Sequence, residues 1–399
     1  NARPLVVFDV LVRLLRKIYP KVTYVRNITD IDDKINKRAI EKKINISQLT
    51  NETIKNFHKD AHALGNLKPD FEPKATDHIS EMIEMIEILI SNGFAYVSSG
   101  NVLFAVEKYN NYGALSGRSL DEMISGSRVE VAEYKKNPGD FILWKPSSEK
   151  LPGWDSPWGR GRPGWHIECS AMSKKYLGTQ FDIHAGGLDL IFPHHENEIA
   201  QSCCANKSDI MANYWLHNGY VTSDGEKMSK SLGNFATINN LLLNFRGEAI
   251  RYALMQAQYR APLSFSKNSL DEATKSLSRL YRAVEGFEVD DGQDTQIIDN
   301  LCDDLNSPKA LARLHYLADE ANKGSKECAQ KLKNSSNILG ILCNSSDEWF
   351  KFGEINSNEA IENSTITEKE IDELIIKRKI AKDNKEYDKA AVSYTHLTL

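Results

Sequence analysis

The chain has only six cysteines in 399 residues, and they follow no regular spacing. That excludes a disulfide framework and argues for reduced thiols in a cytoplasmic setting. No apolar run approaches the roughly 20 residues that a membrane-spanning helix needs, and no secretory signal is visible. Positive charge is short as well: 55 Asp and Glu outnumber 50 Lys and Arg, for a net charge of −5. The chain is therefore no net-basic nucleic-acid binder, and any contact with RNA has to come from local basic patches. No internal repeat and no Ser/His/Asp triad is evident. What is there, 41% hydrophobic and 26% charged residues, suits a soluble globular protein of two or three domains.

The most informative stretch is Lys227-Met228-Ser229-Lys230-Ser231. Two lysines three apart, among small hydroxyl residues, suit a mobile loop over a triphosphate. The ammonium groups can neutralise charge that develops as pyrophosphate leaves, and the hydroxyls and backbone N–H groups can hold phosphate oxygens. The bland alternative is a solvated Lys/Ser surface loop.

Three possible metal ligands lie upstream. Cys169 follows Trp165-His166-Ile167-Glu168, and His194 and Glu198 sit in Pro193-His194-His195-Glu196-Asn197-Glu198. Pro193 suits the first turn of a helix through Gln201, on which His194 and Glu198 share a face at i, i+4. Sulfur, nitrogen and oxygen donors of these kinds bind Zn2+. The spacing fits no zinc-finger pattern, however. A lone His/Glu pair is ordinarily a surface hydrogen bond and a lone Cys a small core residue, so both readings stand on these residues alone.

Taken in order, four blocks resemble the cysteinyl-tRNA synthetase family, which belongs to the class I aminoacyl-tRNA synthetases. They are Trp165-His166-Ile167-Glu168-Cys169-Ser170, the segment from Phe181 through Gly186-Gly187-Leu188-Asp189-Leu190, Phe192-Pro193-His194-His195-Glu196-Asn197-Glu198, and the KMSKS run. Asn1-Ala2-Arg3-Pro4 resembles the end of the family's HIGH signature and the residues directly after it, and residues 24–34 resemble a further family block. The similarity extends from residue 1 to about residue 345, and more weakly to about 390.

This resemblance implies an α/β fold: a Rossmann-type class I catalytic domain with an inserted segment, followed by an all-α helical domain. It implies ATP-dependent adenylation of L-cysteine and transfer to the 3′ end of tRNA(Cys), with ATP and Mg2+ as substrate and one Zn2+ per chain. Cys169, His194 and Glu198 would carry the zinc, with His195 as the competitor for His194. Trp165 would wall the cysteine pocket, and Thr29 and Asn27 would contact the aminoacyl part. Gly187 and Asp189 would meet the adenylate. Lys230 would be the principal ATP-phosphate lysine, assisted by Lys227, with Ser229 and Ser231 in the same site. Cysteine has to be told from serine, alanine and valine, near-isosteres that apolar pockets separate poorly. A metal that takes the substrate sulfur as thiolate allows discrimination of roughly 10^4, about 5.5 kcal/mol, without an editing domain. A monomer free of membranes is expected.

The chain starts without Met inside a signature, so truncation at the N-terminus, with loss of a fourth zinc ligand and the HIGH histidine, is expected. Such a polypeptide is expected to be nearly inactive. Residues 392–399 match one reading frame of a sequencing-transposon end and are set aside as adapter read-through.

The resemblance and local patterns together divide the rest. Residues 1–238 read as the catalytic domain, with an insertion at about 94–150. Residues 239–345 read as a helical tRNA-binding bundle, and 346–391 as a linker and the start of a truncated C-terminal tRNA-binding region. Residues 5–19 read as an amphipathic helix ended by Pro20, residues 22–26 as a strand and residues 30–43 as a helix. Residues 76–92 form a strong helix, since Ile79, Met82, Ile83, Ile86 and Ile90 recur at three and four and Gly93 can end it. A hairpin is expected across residues 98–101. Residues 152–164 read as a Gly/Pro-rich loop in which Arg160 and Arg162 could meet phosphate. Residues 181–184 read as a strand leading to Gly186-Gly187, and residues 248–259, 269–284 and 308–321 as helices.

Three other functions compete. A related cysteine ligase that acylates an amino-sugar would not need the C-terminal region. A binding-only relative would not need KMSKS with three metal ligands. A metal-dependent hydrolase would leave KMSKS unexplained.

Overall fold

The computed structural model describes residues 2–117, 122, 132–223, 226–227, 236–290, 292–351, 376 and 380. Met228, Ser229, Lys230, Ser231 and the tail 392–399 lie outside the described residues, as does most of the expected C-terminal helical region. The chain forms two compact units, residues 1–346 and 347–399. The second contributes, among the described residues, little beyond the end of a short helix at Ser346–Phe350. No helix among the described residues is long and apolar enough to cross a membrane.

The larger unit opens with α1 (Ala2–Ile18), which buries Val6, Val7, Val10 and Leu14 at helical spacing and ends on Arg16 and Lys17, where cations favour the helix dipole. Residues 22–26, expected as a strand, contribute only an isolated bridge, Val25 to Phe71, with a second at Ile28 to Lys74 just beyond. Helices α2 (Asp33–Lys42) and α3 (Ile46–Ala63) come next, each started by a side chain that accepts from the backbone: Asp32 from Lys34 N and Asn45 from Ser47 N. Helix α4 (Ile79–Ser91) is the periodic helix of residues 76–92, and it ends at Gly93, whose φ of 80° is a left-handed stop.

After α4 the chain forms an antiparallel sheet, built from β1 (Ala95–Ser98), β2 (Asn101–Phe104), β3 (Phe141–Pro146) and β4 (Gly161–Pro163) in that order. The expected loop at 152–164 therefore contains a strand, because Trp144, Lys145 and Pro146 of β3 offer it an unpaired edge. Arg160 and Arg162 are committed within the fold. Arg160 donates to the carbonyls of Ser147, Ser148 and Leu151, and Arg162 to Asp33 and the Pro146 carbonyl.

Two helices, α5 (Trp165–Leu177) and α6 (Glu196–Asn206), flank β5 (Phe181–Gly187), which pairs in parallel with β6 (Ala212–Asn218). This is the parallel α/β element that the alternation of strands and helices implied. Met82, Met85, Ile86 and Leu89 of α4 fill the space between the antiparallel sheet and α5 and α6, against Phe104, Leu143, Trp144, Ile167 and Ala200. Each such buried side chain contributes about 1.5–3 kcal/mol relative to exposure. Cys204 lies in the same core, so the adjacent pair Cys203-Cys204 is structural.

Beyond β6, β7 (Val221–Ser223) pairs antiparallel with β8 (Glu226–Lys227) and parallel with β9 (Leu263–Ser264). The remaining helices are α7 (Ile238–Leu241), α8 (Gly247–Met255), α9 (Lys267–Ala283), α10 (Thr295–Cys302), α11 (Ser307–Asn322) and α12 (Lys326–Ser336). Ser266 and Ser269 close a capping box on α9, and Asn306 caps α11 just before Pro308. Helix α8 ties the helical region to α1. Arg251, fully buried, meets Asp9 at 2.5 Å and donates to the carbonyls of Leu64 and Leu339.

Candidate metal and adenylate site

Helices α5 and α6 are joined in their second turns by a 2.6 Å hydrogen bond from Ser170 Oγ to Gln201 Oε1. Helix α6 proper begins at Glu196. The residues before it, Ile191–His195, form a wider turn with a non-helical Phe192, so Pro193 does not start the helix as its residue type suggested. The turn still carries His194 onto the face of Glu198: His194 Nε2 lies 2.8 Å from Glu198 Oε1.

Cys169, His194 and Glu198 offer donor atoms that all lie within 4.8 Å of one another. His184, His195 and Glu198 form a second such group that shares the same carboxylate. Glu198 is fully buried, and His184 Nε2 approaches its second oxygen at 3.3 Å. Neither carboxylate oxygen takes a properly directed hydrogen bond. Donor atoms gathered this closely can serve as a ligand set, and thiol, imidazole and carboxylate are zinc's donor types. The residues present therefore fit a zinc-sized divalent cation.

The electrostatics agree. Burial alone would raise the Glu198 carboxyl, but the imidazoles of His184 and His194 hold it down at about 2, so it is ionised. Burial, then the neighbouring carboxylates of Glu198 and Glu168, push the Cys169 thiol well above its usual range. A cation between these groups reverses that, since a coordinating thiol loses its proton.

Around the donors lies a ring of neutral imidazoles. His166 Nδ1 is 2.8 Å from His194 Nδ1, and burial beside His194 pushes His166 down to about 3. A neutral His166 can accept from His194 Nδ1–H, which leaves His194 Nε2 free to face the centre. His195 Nδ1 is 2.8 Å from His217 Nε2, and burial lowers these two to about 3 and about 4. Trp215 packs on both His184 and His195, with ring centroids 4.8 and 5.3 Å away. His217 and Trp215 come from β6, a strand that the local sequence pattern did not mark.

The other candidate residues converge from separate elements. Trp165, 44% exposed at the start of α5, places its ring 4.2 Å from His194. Asn27 Nδ2 donates to Cys169 Sγ at 3.4 Å, and Thr29 hydrogen-bonds the buried Glu168 carboxyl. Gly186 and Gly187 stand at the carboxyl end of β5, beside His217 and Asn218 of β6, which is the position where open parallel sheets bind ligands. A Cβ on Gly186 would lie 2.9 Å from His195, and one on Gly187 2.5 Å from Asp189 Oδ1. A larger residue at either position would have to displace these side chains. Asn218 was missed in the sequence; it is 2% exposed, and neither atom of its amide has a hydrogen-bond partner. The backbone of Lys227 lies in β8, paired with Thr222, while Ser229, Lys230 and Ser231 fall outside the described residues.

Residues 1–275 match the tRNA synthetases class I (C) catalytic domain, and residues 296–344 match the DALR domain. The chain is 55% identical over 355 residues to the cysteine–tRNA ligase of Gluconobacter oxydans, covering 88% of this chain and 78% of that protein. It is 50% identical over 411 residues to the cysteine–tRNA ligase of Rhodospirillum rubrum, covering 100% of this chain and 87% of that one. Among solved structures, it resembles a Mycobacterium tuberculosis methionyl-tRNA synthetase in complex with methionyl-adenylate. The TM-score is 0.62 at 14% identity, over 90% of this chain and 92% of that one, a likeness of fold. The chain therefore belongs to the cysteine–tRNA ligase family of class I aminoacyl-tRNA synthetases.

Proposed function

We propose that this protein joins L-cysteine to ATP and passes the cysteinyl group to the 3′ end of tRNA(Cys), working as a monomer in the cytoplasm, and that Cys169, His194 and Glu198 carry a Zn2+ that selects the substrate. In the first step the cysteine carboxylate attacks the α-phosphorus and pyrophosphate leaves. In the second, a ribose hydroxyl of the tRNA takes the acyl group and AMP leaves. Both steps depend on positioning and on charge stabilisation more than on a dedicated nucleophile.

The observation that carries the metal reading is the fully buried Glu198 carboxylate, whose two oxygens lack directed hydrogen bonds beside His194 and Cys169. Bound there, Zn2+ would supply a thiophilic Lewis acid that favours a substrate thiolate over a serine hydroxyl. The chain's own groups do the rest. Trp165 covers the small substrate, and Asn27 orients the Cys169 sulfur. Thr29 faces the same pocket. Gly187 admits the nucleotide backbone-close at the strand end, and Asp189 accepts from a ribose hydroxyl or the substrate ammonium. Lys227 and Lys230 neutralise the charge of the ATP phosphates and their Mg2+ complex, with Ser229 and Ser231 as hydroxyl donors.

The test is ATP–pyrophosphate exchange by the full-length protein with cysteine or serine, with and without a zinc chelator, and then acylation of tRNA(Cys). Cysteine-specific, chelator-sensitive exchange is expected. Exchange that ignores the chelator, or that accepts serine equally, would remove the metal from the selection step.

A further inference from the structure

Arg3, in the first turn of α1, is only 1% exposed. Its guanidinium donates from Nη1 to the carbonyls of Gly219 at 3.0 Å and Ala261 at 2.6 Å, with that of Tyr220 at 3.4 Å, and from Nη2 to the carbonyl of Gln258 at 2.9 Å. None of these partners is a carboxylate. Burial lowers its pKa to about 10, so it remains protonated at neutral pH. A buried cation held by main-chain dipoles alone is costly to retain, which asks what its geometry accomplishes.

The carbonyls belong to two segments laid side by side. Residues 219–220 lead from β6 into β7, and residues 258–261 lead into β9. Gly219 N donates to Tyr259 O at 2.8 Å, and Leu263 N to Tyr220 O at 2.9 Å. The approach is so close that a Cβ on Gly219 would lie 2.5 Å from the carbonyl oxygens of Arg260 and Ala261. On one side of this junction is Asn218, which faces Gly187 at the nucleotide crevice. On the other is β7, whose Thr222 pairs with Lys227.

We propose that Arg3 is a positioning residue for adenylation. Its planar fork locks the root of β7 and β9 and thereby sets where the strand of Lys227 stands relative to the crevice at Gly187. The proposal rests on the reading of Lys227 as a phosphate-facing lysine. It needs the guanidinium and not merely a charge, since a lysine ammonium cannot span carbonyls on two segments with a rigid fork.

The test uses ATP–pyrophosphate exchange by the full-length protein carrying Arg3→Lys, Arg3→Gln, Lys227→Ala, and Arg3→Lys with Lys227→Ala. Misplacement by about 1 Å can cost on the order of a hundredfold, so Arg3→Lys is expected to lower kcat about ten- to a hundredfold. The KM for cysteine should stay within about twofold of the parent, the pattern of lost transition-state contact without lost binding. Zinc content should also be unchanged. The double variant should fall no more than about threefold below Lys227→Ala, because residues that act through one another are not additive. Amide hydrogen exchange should quicken in β7 and β8 and stay unchanged in α9 and α11. If Arg3→Gln does not fold, Arg3→Lys decides. Parental kcat in Arg3→Lys, or losses that multiply in the double variant, would overturn the positioning role. Parental exchange in Lys227→Ala would instead remove the reading of Lys227, and the proposal with it.

Discussion

Replacing Glu198 with Gln is the sharpest perturbation of the metal reading. The substitution keeps shape and volume but removes an anion that is fully buried between His194 Nε2 at 2.8 Å and His184 Nε2 at 3.3 Å. Zinc binding at a complete protein site is worth about 10–16 kcal/mol, so one of four ligands carries about 3 kcal/mol. The amide oxygen remains a weak donor, so a loss of about 2–3 kcal/mol is expected, or roughly 30- to 150-fold in affinity at about 1.4 kcal/mol per tenfold. The assay is zinc retention by mass spectrometry during dialysis against graded chelator, run alongside heat denaturation of the metal-free proteins. The two measurements separate ligand loss from unfolding. Without metal, His184 and His194 hold the Glu198 carboxylate ionised below its ordinary pKa, so Glu198→Gln should melt somewhat below the metal-free parent at neutral pH, and the two should converge as pH falls through the lowered value. Zinc held by Glu198→Gln at parental affinity would refute the reasoning.

The geometry sets three further outcomes. Asp9→Ala strands the buried Arg251 and the Leu67 N–H that Asp9 accepts at 2.6 Å, and should cost about 3–5 kcal/mol by denaturant unfolding; less than about 1 kcal/mol would contradict the buried pair. Arg260→Ala removes an ion pair with Asp304 that is half exposed on both sides, so the loss at neutral pH should stay under about 1 kcal/mol. The hydrogen bond from Arg260 holds Asp304 below its ordinary pKa, so that small stability is present above the unfolded-state value and disappears as pH falls through the lowered one. Parent and Arg260→Ala should therefore converge in urea melts taken down through the acid range, and a difference that grows toward acid would reverse the sign. Trp165→Ala should raise the KM for cysteine about tenfold, the effect of roughly 1.4 kcal/mol of lost contact, and leave the KM for ATP unchanged; equal changes in both would place the indole outside the amino-acid pocket.

What was legible in the sequence was local. The recurrence of Ile79, Met82, Ile83, Ile86 and Ile90 marked helix α4, and Gly93 marked its end, because periodicity and a left-handed glycine are properties of neighbouring residues. The hairpin of β1 and β2, and helices α9 and α11, were legible for the same reason. Cys169, His194 and Glu198 could be selected as donors from residue type and family signature, and His194 with Glu198 from their spacing of four. Strand β6 was not legible, because Ala-Asn-Tyr-Trp-Leu-His-Asn shows neither strict alternation nor β-branched residues; its partner β5 lies about thirty positions earlier. The partners of the imidazoles were hidden likewise. His166 and His194, or His195 and His217, meet only because two helix starts and a strand end converge.

By itself, then, the sequence determined which chemistry was available: thiol, imidazole, carboxylate and lysine ammonium groups on an α/β scaffold. The tertiary structure decided how those groups stand. It buried Glu198 and gathered it with Cys169 and His194, their donor atoms within 4.8 Å of one another. It committed Arg160 to carbonyls and Arg162 to Asp33 and a carbonyl. It carried Arg3 to carbonyls more than two hundred positions away. Residue type sets what a side chain can donate, accept or ionise, whereas burial and long-range approach set whether it does, and those depend on packing that no local pattern encodes.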